Sequence, residues 1–377
     1  MRILHFYKTA LPQSTGGVEQ VIDQLARSTH ALGAQVDILS LSKNSEKSPF
    51  FCGYTYHCAR QNFEFASTGF SFTAISQFMH LGRQADLIHY HFPWPFMDLV
   101  HFIARLKKPA VVTYHSDIIR QKKLLMLYKP LRHGFLESVD RIVATSPNYM
   151  ASSDVLSQFS EKTDVIPIGL DQSTYPKPDA GRMQAWRDRL GPKYFAFVGV
   201  LRYYKGLHIL IEAAKATGYP VAIAGAGPME EELKKQVESL GLTNVHFLGF
   251  LHEEQKMALL AASLAVVFPS HLRSEAFGIS LLEGAMCAKP LISSEIGTGT
   301  TFINAHRETG LVVPPGDPAQ LGQAMQALWD SPEMANTMGL RAYERYQQFF
   351  TARQMGQAYM QLYSDLIRAS RPDKKTV

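Results

Sequence analysis

Cysteine is scarce in this sequence of 377 residues, which contains only Cys52, Cys58 and Cys287. Their spacing matches no metal-binding pattern and three cysteines cannot all pair, so we expect reduced thiols and neither a disulfide framework nor a cysteine metal centre. Long apolar runs are missing too, which argues against a membrane-spanning segment. Because Lys8 interrupts the first apolar run, no signal peptide is predicted, and we expect a cytoplasmic protein.

The chain also lacks a strong charge imbalance. Its net charge is +5, spread along the sequence, with 46% hydrophobic and 19% charged residues. This is the composition of a soluble globular protein, and the length suits two domains. Mild positive charge favours an anionic small molecule or an anionic membrane surface over nucleic acid as the partner. No G-x-G-x-x-G motif follows the first predicted strand, which argues against a nicotinamide dehydrogenase.

Short apolar runs alternate with amphipathic stretches from end to end, the pattern of an α/β fold built from βαβ units. The predicted strands are residues 3–7, 36–41, 87–91, 111–115 and 141–145, then 195–199, 221–225, 245–249, 264–269 and 290–293. The predicted helices are residues 17–32, 95–106, 122–138, 206–217, 229–240, 253–262 and 279–287, with a helical region over 331–370. The tail, residues 371–377, is predicted to be disordered.

The strand–helix alternation restarts after a segment rich in turn-forming residues near position 170. We therefore predict an N-terminal Rossmann-like domain at residues 1–168, a hinge at 169–180 and a C-terminal Rossmann-like domain at 181–350. A final helix at 351–370 is predicted to pack back on the N-terminal domain. Two doubly wound domains of this kind are expected to face each other across a cleft at the carboxyl ends of both sheets.

Two glutamates eight residues apart, Glu275 and Glu283, follow the strand that ends near Ser270. On one helix they would be offset by about 80°, so they cooperate more easily if Glu275 lies in the loop and Glu283 in the helix. Gly278 would let backbone amides at the helix start approach an anion. A site in which backbone amides bind phosphate and carboxylates bind hydroxyls would suit a nucleotide sugar. The alternative is a solvated helix with two surface glutamates.

Glycine and basic residues follow several predicted strands. Arg202 and Lys205 could grip a diphosphate at a helix entrance, or could belong to a solvated basic turn. Gly16 and Gly17 could bring helix amides against a phosphate or sugar, although a tight turn explains them equally well. Gly225 begins a Gly-Ala-Gly-Pro turn that suits the start of a helix and favours a structural role.

Histidines stand at two predicted strand ends. His91 and His115 are candidates to contact a ligand, because strand carboxyl ends face the crevice in open α/β sheets. Buried histidines bonded to the backbone are the ordinary alternative. We retain His115, since the polar residues Ser116 and Asp117 continue out of the strand.

Residues 120–132 combine basic and apolar side chains. Such a segment can lie at an anionic membrane surface, where each basic residue contributes roughly 1 kcal/mol. The alternative is a core-packed helix with a solvated basic face, and Pro130 interrupts the segment in either case.

Taken together, these motifs resemble the retaining GT-B glycosyltransferases, in particular the bacterial mannosyl- and rhamnosyltransferases of polysaccharide and O-antigen synthesis. The resemblance covers nearly the whole chain and is strongest from about residue 166 to 315. It is carried by the ordered set of Arg202/Lys205, the turn at Gly225, the run 247–249 and the Glu275…Glu283 pair.

The resemblance implies roles for these residues. Arg202 and Lys205 would hold the donor diphosphate and stabilise the departing nucleotide. Glu275 would bind the sugar hydroxyls near the reacting carbon and Glu283 the nucleotide ribose. The amides of residues 277–279 would complete the phosphate site.

Further residues enter through the same resemblance. Gly16 and Gly17 are expected to border the acceptor and the diphosphate. Residues 247–250, which include Phe250, are expected to lie near the base, and His115 is expected to contact the transferred sugar in a catalytic role. The remaining residues expected to contact the nucleotide sugar are Gly225, Phe277, Gly278 and Ile279. No bound metal is expected, in keeping with the lack of a convincing Asp-x-Asp motif. The nucleotide sugar is then a cosubstrate and not a resident cofactor.

The chain departs from the family after the fifth strand of its second half. Members often have a Gly-Gly-x-Pro-Glu turn, whereas this chain has Gly297-Thr298-Gly299 without the proline and glutamate. This variant resembles the mannosyl/rhamnosyl subgroup and favours a GDP-sugar. Transfer would retain the anomeric configuration, and domain closure about the hinge would exclude water.

The expected acceptor is a polyprenyl-diphosphate-linked saccharide at the inner face of the cytoplasmic membrane. The alternatives are a UDP-sugar-dependent glycosyltransferase, a nucleotide-sugar 2-epimerase, and a non-catalytic member of a polysaccharide assembly complex. A 2-epimerase fits the Arg202, Lys205, Glu275 and Glu283 set less well, and retention of the phosphate-site residues argues against the non-catalytic protein.

Overall fold

The computed structural model describes residues 1–14, 16–43, 50–65, 68–118 and 122–370. It divides into two compact units. Unit 1 comprises Met1–Leu170 together with the C-terminal helix that begins at Ala352, and unit 2 comprises Asp171–Thr351.

Unit 1 contains an eight-stranded sheet with the strand order β10-β9-β8-β7-β1-β2-β4-β3 and a separate β5-β6 hairpin. The strands are β1 Arg2–Phe6, β2 Gln35–Ser42, β3 Phe50–Phe51, β4 Tyr54–Arg60, β5 Phe63–Phe65, β6 Thr68–Phe70, β7 Leu87–Phe92, β8 Ala110–Tyr114, β9 Arg141–Ala144 and β10 Thr163–Val165. The helices are α1 Gly17–Ala31, α2 Phe72–Gln84, α3 Pro95–Ala104, α4 Lys122–Ser138, α5 Pro147–Ser152 and, from the chain end, α14 Ala352–Ser370; a 3-10 segment spans Leu156–Lys162. The parallel strands are buried on both faces, which explains their continuous apolar runs.

Helix α14 packs against this sheet. The Tyr363 hydroxyl lies 2.6 Å from Nδ1 of His89, and the Tyr359 hydroxyl lies 2.7 Å from Oγ1 of Thr113. A Cβ at Gly356 would lie 2.7 Å from Oγ of Ser28, so α14 also packs closely on α1. The last helix of the chain therefore supplies part of the polar core of the first unit.

Unit 2 contains a six-stranded parallel sheet with the order β13-β12-β11-β14-β15-β16. The strands are β11 Phe195–Val198, β12 Val221–Ala224, β13 Val245–Gly249, β14 Ala265–Phe268, β15 Leu291–Ser294 and β16 Gly310–Val313. The helices are α6 Ala180–Leu190, α7 Leu207–Thr217, α8 Glu230–Ser239, α9 Glu253–Ala262, α10 Ile279–Met286, α11 Thr300–Ile303, α12 Pro318–Asp330 and α13 Pro332–Phe349, with 3-10 turns at Gln172–Thr174 and Tyr203–Lys205. The chain reverses its direction of winding between β11 and β14, which is the topological switch point.

Every strand predicted from the sequence is present within one or two residues at each end. Six strands (β3 to β6, β10 and β16) and the helices α2, α5, α6, α11 and α12 were not predicted. Most are short or lie at sheet edges, where periodicity is weakest. The tail at 371–377 and residues 120–121 of the basic segment lie outside the described residues. Among the helices of the described ranges, none combines the length and apolarity needed to span a bilayer.

Candidate active site at the switch point

The candidate site lies where the carboxyl ends of β11 and β14 meet. These strands are neighbours in the sheet, with Phe195 opposite Ala265 and Ala196 opposite Val266. The loop after β11 leads to α7, and the loop after β14 leads to α10. Because the two loops leave the same edge of the sheet at the switch point, their side chains converge there.

Lys205 and Glu275 form an ion pair between these loops. Each residue is only 9% exposed. Ser270 Oγ lies 3.4 Å from the same Glu275 oxygen, and the Lys205 ammonium lies 4.5 Å from the centre of the Phe268 ring. The ion pair is thus buried among mostly apolar groups. Water therefore screens its electrostatic effect on a ligand only weakly.

Backbone contacts hold the two loops together. The amide of His271 donates to the carbonyl of Tyr204 at 3.0 Å. A Cβ at Gly206 would lie 2.0 Å from the carbonyl oxygen of Pro269, so only glycine permits this approach. The position of Lys205 relative to Glu275 is therefore fixed by main chain as well as by the ion pair.

Arg202 lies at the same loop but is exposed. Within the described ranges, its guanidinium has no ion-pair partner. A free, planar set of donors beside Lys205 suits a diphosphate, which accepts paired hydrogen bonds from arginine.

The start of α10 offers backbone amides next to this pair. Gly278 precedes the helix in a left-handed conformation with φ of 101°, and no side chain of the described residues caps the helix. Ser280 Oγ donates to the carbonyl of Val198 at 2.7 Å, which joins α10 to the end of β11. Phe277 is buried and Ile279 is partly exposed. Uncapped amides at a helix start attract an anion.

The variant turn noted in the sequence packs against Phe277. The amide of Gly299 donates to the carbonyl of Ala276 at 2.8 Å. A Cβ at Gly299 would lie 2.5 Å from the Phe277 ring. This glycine therefore allows the Gly297–Gly299 segment to support the residues that precede α10.

Glu283 occupies a different place from Glu275. It lies within α10, 3% exposed, and its carboxylate accepts a 2.7 Å hydrogen bond from Lys256 of α9. Burial opposes the charged form of Lys256, but Glu283 and Glu253 outweigh it and raise the pKa of the ammonium. Tyr175 also hydrogen-bonds Glu283, and burial together with that carboxylate raises the pKa of the phenol.

This buried cluster was not predicted from the sequence. The ribose contact that the resemblance implies for Glu283 stays a prediction, because the carboxylate already has two protein partners. The spacing of Glu283 did indicate its place in the helix, but nothing near Lys256 or Tyr175 in the sequence marks them as its neighbours.

Gly225 and Phe250 flank the site at the ends of β12 and β13. Gly225 has φ of 132°, and a Cβ there would lie 1.9 Å from the carbonyl oxygen of Gly199. Its immediate role is thus to let two strand-end loops touch. Phe250 is 67% exposed, as a residue that stacks on a base would be before the base binds. Both roles toward the nucleotide sugar stay predictions.

In unit 1, Gly16 and Gly17 begin α1, as predicted. The helix start already carries a carboxylate, because Glu19 folds back over Gly16 and accepts a 3.0 Å hydrogen bond from Ser14. A Cβ at Gly16 would lie 2.5 Å from that carboxylate. A phosphate at this helix start would have to displace Glu19 or share the amides with it.

His115 follows β8 at the carboxyl edge of the unit 1 sheet and is 6% exposed. Its Nε2 lies 3.1 Å from Nδ1 of His91, whose Nε2 lies 3.0 Å from Nδ1 of His5. His5 was not recognised from the sequence, although its strand position opposite His89 follows from the register.

In the described part of the chain, His5, His89 and His91 have ring nitrogens within 4.8 Å of one another, close enough for a metal ion. Both nitrogens of His89 are already engaged, with Tyr363 and Thr113. Both nitrogens of His91 are engaged by His5 and His115. Hydrogen bonding therefore accounts for the cluster without a metal.

Comparison with known proteins identifies the family. The model for Glycosyltransferase Family 4 matches residues 15–174, and that for Glycosyl transferases group 1 matches residues 182–345. D-rhamnosyltransferase WbpZ of Pseudomonas aeruginosa is 59% identical over 353 residues, which cover 93% of this chain and 93% of that protein. O-antigen chain mannosyltransferase C of Escherichia coli is 48% identical over 372 residues, which cover 98% and 100%.

A solved structure shares the fold of the chain. Sucrose-phosphate synthase from Thermosynechococcus elongatus superposes with a TM-score of 0.81, covering 98% of this chain and 99% of its own, at 22% sequence identity. Two doubly wound units are the architecture of the GT-B class. The chain belongs to the GT-B glycosyltransferase family, whose members use nucleotide-sugar donors. The fold class and the family predicted from the sequence are thus confirmed.

Proposed function

We propose that this enzyme transfers mannose or rhamnose from a GDP-sugar to a saccharide acceptor in O-antigen synthesis, with retention at the anomeric carbon. The observation that carries the proposal is the 59% and 48% identity, over nearly whole chains, to a D-rhamnosyltransferase and an O-antigen mannosyltransferase. The Lys205–Glu275 pair at the switch point supports it, because that pair offers a cation to phosphate and a carboxylate to hydroxyls.

The proposed reaction breaks the bond between the anomeric carbon and the diphosphate oxygen. The acceptor hydroxyl oxygen forms the new bond on the face that the diphosphate leaves, and its proton passes to the departing phosphate. Arg202, Lys205 and the amides at the start of α10 would stabilise the negative charge that develops there. Glu275 would orient the sugar through its hydroxyls, so that catalysis rests on position and charge.

A thermal-shift panel of GDP, UDP, ADP and dTDP tests the donor. At one hundred times its dissociation constant a ligand adds about 2.7 kcal/mol to the stability of the protein. We expect GDP alone to stabilise the enzyme and Lys205→Ala to abolish the effect. A UDP response would instead identify a UDP-sugar enzyme, and no response to any nucleotide would favour the non-catalytic alternative.

Turnover assays separate the remaining alternatives. A transferase requires both donor and acceptor, whereas a nucleotide-sugar 2-epimerase would form product from the donor alone. Anomeric configuration of the isolated product, read by NMR coupling constants, tests retention.

Competition between GDP-mannose and GDP-D-rhamnose identifies the sugar. D-rhamnose is 6-deoxymannose, so the two donors differ by one hydroxyl. A site that hydrogen-bonds this hydroxyl would reject the deoxy sugar by roughly 10⁴-fold in kcat/KM, whereas an apolar site rejects the added hydroxyl by only about 10². The size and direction of the ratio therefore distinguish a mannosyl- from a rhamnosyltransferase.

We infer further that α3 and α4 of unit 1 bind the cytoplasmic face of the inner membrane, where a polyprenyl-diphosphate-linked acceptor would lie. These helices pack together. Among the residues of these helices whose side chains are described, the exposed large apolar ones are Leu99, Phe102, Ile103, Met126 and Leu127. Arg105, Lys107 and Lys129 are exposed on or near the same helices. Apolar and basic side chains together favour an anionic lipid surface.

Co-sedimentation with vesicles tests this surface. Wild-type enzyme should bind vesicles of mixed anionic and zwitterionic lipid and bind purely zwitterionic vesicles far less. Met126→Glu/Leu127→Glu should lose binding, while Leu340→Glu, at an exposed apolar position of unit 2, should retain it. Equal binding by both variants would refute the assignment of this surface.

A further inference from the structure

Three histidine rings form an edge-to-edge row across neighbouring strands of unit 1. The row runs from His5 on β1 through His91 on β7 to His115 after β8, with nitrogen–nitrogen distances of 3.0 and 3.1 Å. Consecutive rings are inclined by only 18° and 20°, with centroids 5.3 Å apart. These values describe rings that hydrogen-bond nearly in one plane. The row connects the interior of the sheet to its carboxyl edge.

The three rings are buried, and burial favours their neutral form. Burial lowers the pKa of His5 and His115 to about 3, and burial together with the neighbouring histidines lowers that of His91 well below its usual value. Asp37 is the carboxylate that acts on His5, and Arg2 and His57 already hold it at 2.7 Å each. Each ring therefore carries one N–H and one bare nitrogen.

In a row of neutral imidazoles, every N–H must point in the same direction along the row. The two directions differ only at the ends, at Nε2 of His5 and Nδ1 of His115. Nε2 of His5 is buried and has no hydrogen-bond partner in the described part of the chain. One direction would leave a buried N–H there without an acceptor, and such groups are rare in folded proteins. The opposite direction leaves Nε2 of His5 without a proton, so that no buried N–H lacks an acceptor.

We propose that His5 and His91 are positioning residues that hold His115 in its Nδ1–H form, as a hydrogen-bond donor at the carboxyl edge of the sheet. In this direction His5 donates to His91 and His91 donates to Nε2 of His115. The proposal rests on the proposed function, together with the contact to the transferred sugar that the family resemblance implies for His115. The donor suits a hexose hydroxyl oxygen, and its fixed N–H means that Nδ1 cannot act as a base toward the acceptor hydroxyl.

NMR of protein labelled with ¹⁵N-histidine tests the row without any substrate. There are 14 histidines, and the signals of His115 are assigned as those missing from His115→Asn. We expect the Nδ1–H form of His115 in the wild type, and a mixture of both forms in His5→Phe, which keeps a buried ring but cannot donate. The Nε2–H form or an even mixture in the wild type would overturn the proposal even if the enzyme transfers sugar normally.

Kinetics test the use of the donor. His115→Asn places an amide N–H near the position of Nδ1, whereas His115→Leu has a similar bulk and no donor. We expect the Leu variant to lose about tenfold more kcat than the Asn variant, a typical effect of one hydrogen bond to a ligand. Equal losses in two variants with unchanged melting temperatures would exclude a donor role. Failure of the proposed function is visible separately, as absence of transfer by the wild type.

Discussion

Two of the lysine–glutamate pairs in unit 2 are both buried but stand in different settings. Lys205 and Glu275 sit on loops at the carboxyl edge of the sheet. Lys256 and Glu283 sit on α9 and α10, with side chains 11% and 4% exposed. The first pair adjoins an exposed arginine and uncapped helix amides, whereas the second is enclosed by protein partners. Position in the fold, more than chemistry, separates a pair suited to catalysis from one suited to stability.

Among the substitutions that test this difference between the two pairs, the largest expected effect is on turnover. Lys205→Ala should lower kcat/KM by about 10³-fold, because a charge aimed at the leaving diphosphate is removed. Stability should fall by only about 2 kcal/mol, since Glu275 keeps its contact with Ser270. Steady-state kinetics and urea unfolding measure the two effects.

The matched control is Lys234→Ala, which removes a lysine from an exposed pair with Glu230 on α8. Its turnover should equal that of the wild type. If Lys205→Ala behaved like this control, the catalytic assignment of Lys205 would be wrong.

The second effect is on stability. Lys256→Met should cost about 3 kcal/mol, because it leaves the buried carboxylate of Glu283 without its cation. The double variant Lys256→Met/Glu283→Leu should recover most of that loss, since removing both charges avoids the desolvation cost. Urea unfolding of the two variants measures the difference.

The double variant also tests whether Glu283 has a structural role or contacts the nucleotide. If it regains stability and binds GDP as tightly as the wild type, Glu283 is structural. A recovered fold with weaker GDP binding would support the ribose contact that the resemblance implies.

The smallest effect of the three is expected at Glu275. Glu275→Gln keeps the volume of the side chain but removes its charge, and kcat should fall about 10²-fold through weaker orientation of the sugar hydroxyls. The exposed Glu254→Gln, on α9, is the control and should leave kcat unchanged. An unaltered kcat in Glu275→Gln would remove this carboxylate from the proposed mechanism.

The parallel strands and their order along the chain could be predicted because buried strands read as continuous apolar runs. The loop position of Glu275 and the helix position of Glu283 also followed from their spacing. These features depend on local sequence, where periodicity and turn residues carry the signal.

The partners of these residues could not be predicted in the same way. Lys256 meets Glu283 from another helix, and Glu19 covers the start of α1 only because the chain folds back over Gly16. His5 reaches His91, 86 positions further along the chain, because β1 and β7 are neighbouring strands. Such contacts depend on tertiary packing, which a single sequence does not encode at the level of motifs.

The return of α14 to unit 1 has a consequence for biosynthesis. His89 and Thr113 take hydrogen-bond partners from Tyr363 and Tyr359, which the ribosome adds only after all of unit 2. Until then these two buried polar groups lack their tyrosine partners, a cost that disfavours the finished sheet. Unit 2 is continuous in sequence and can fold as it emerges. The domain that begins the chain is therefore the last to be completed.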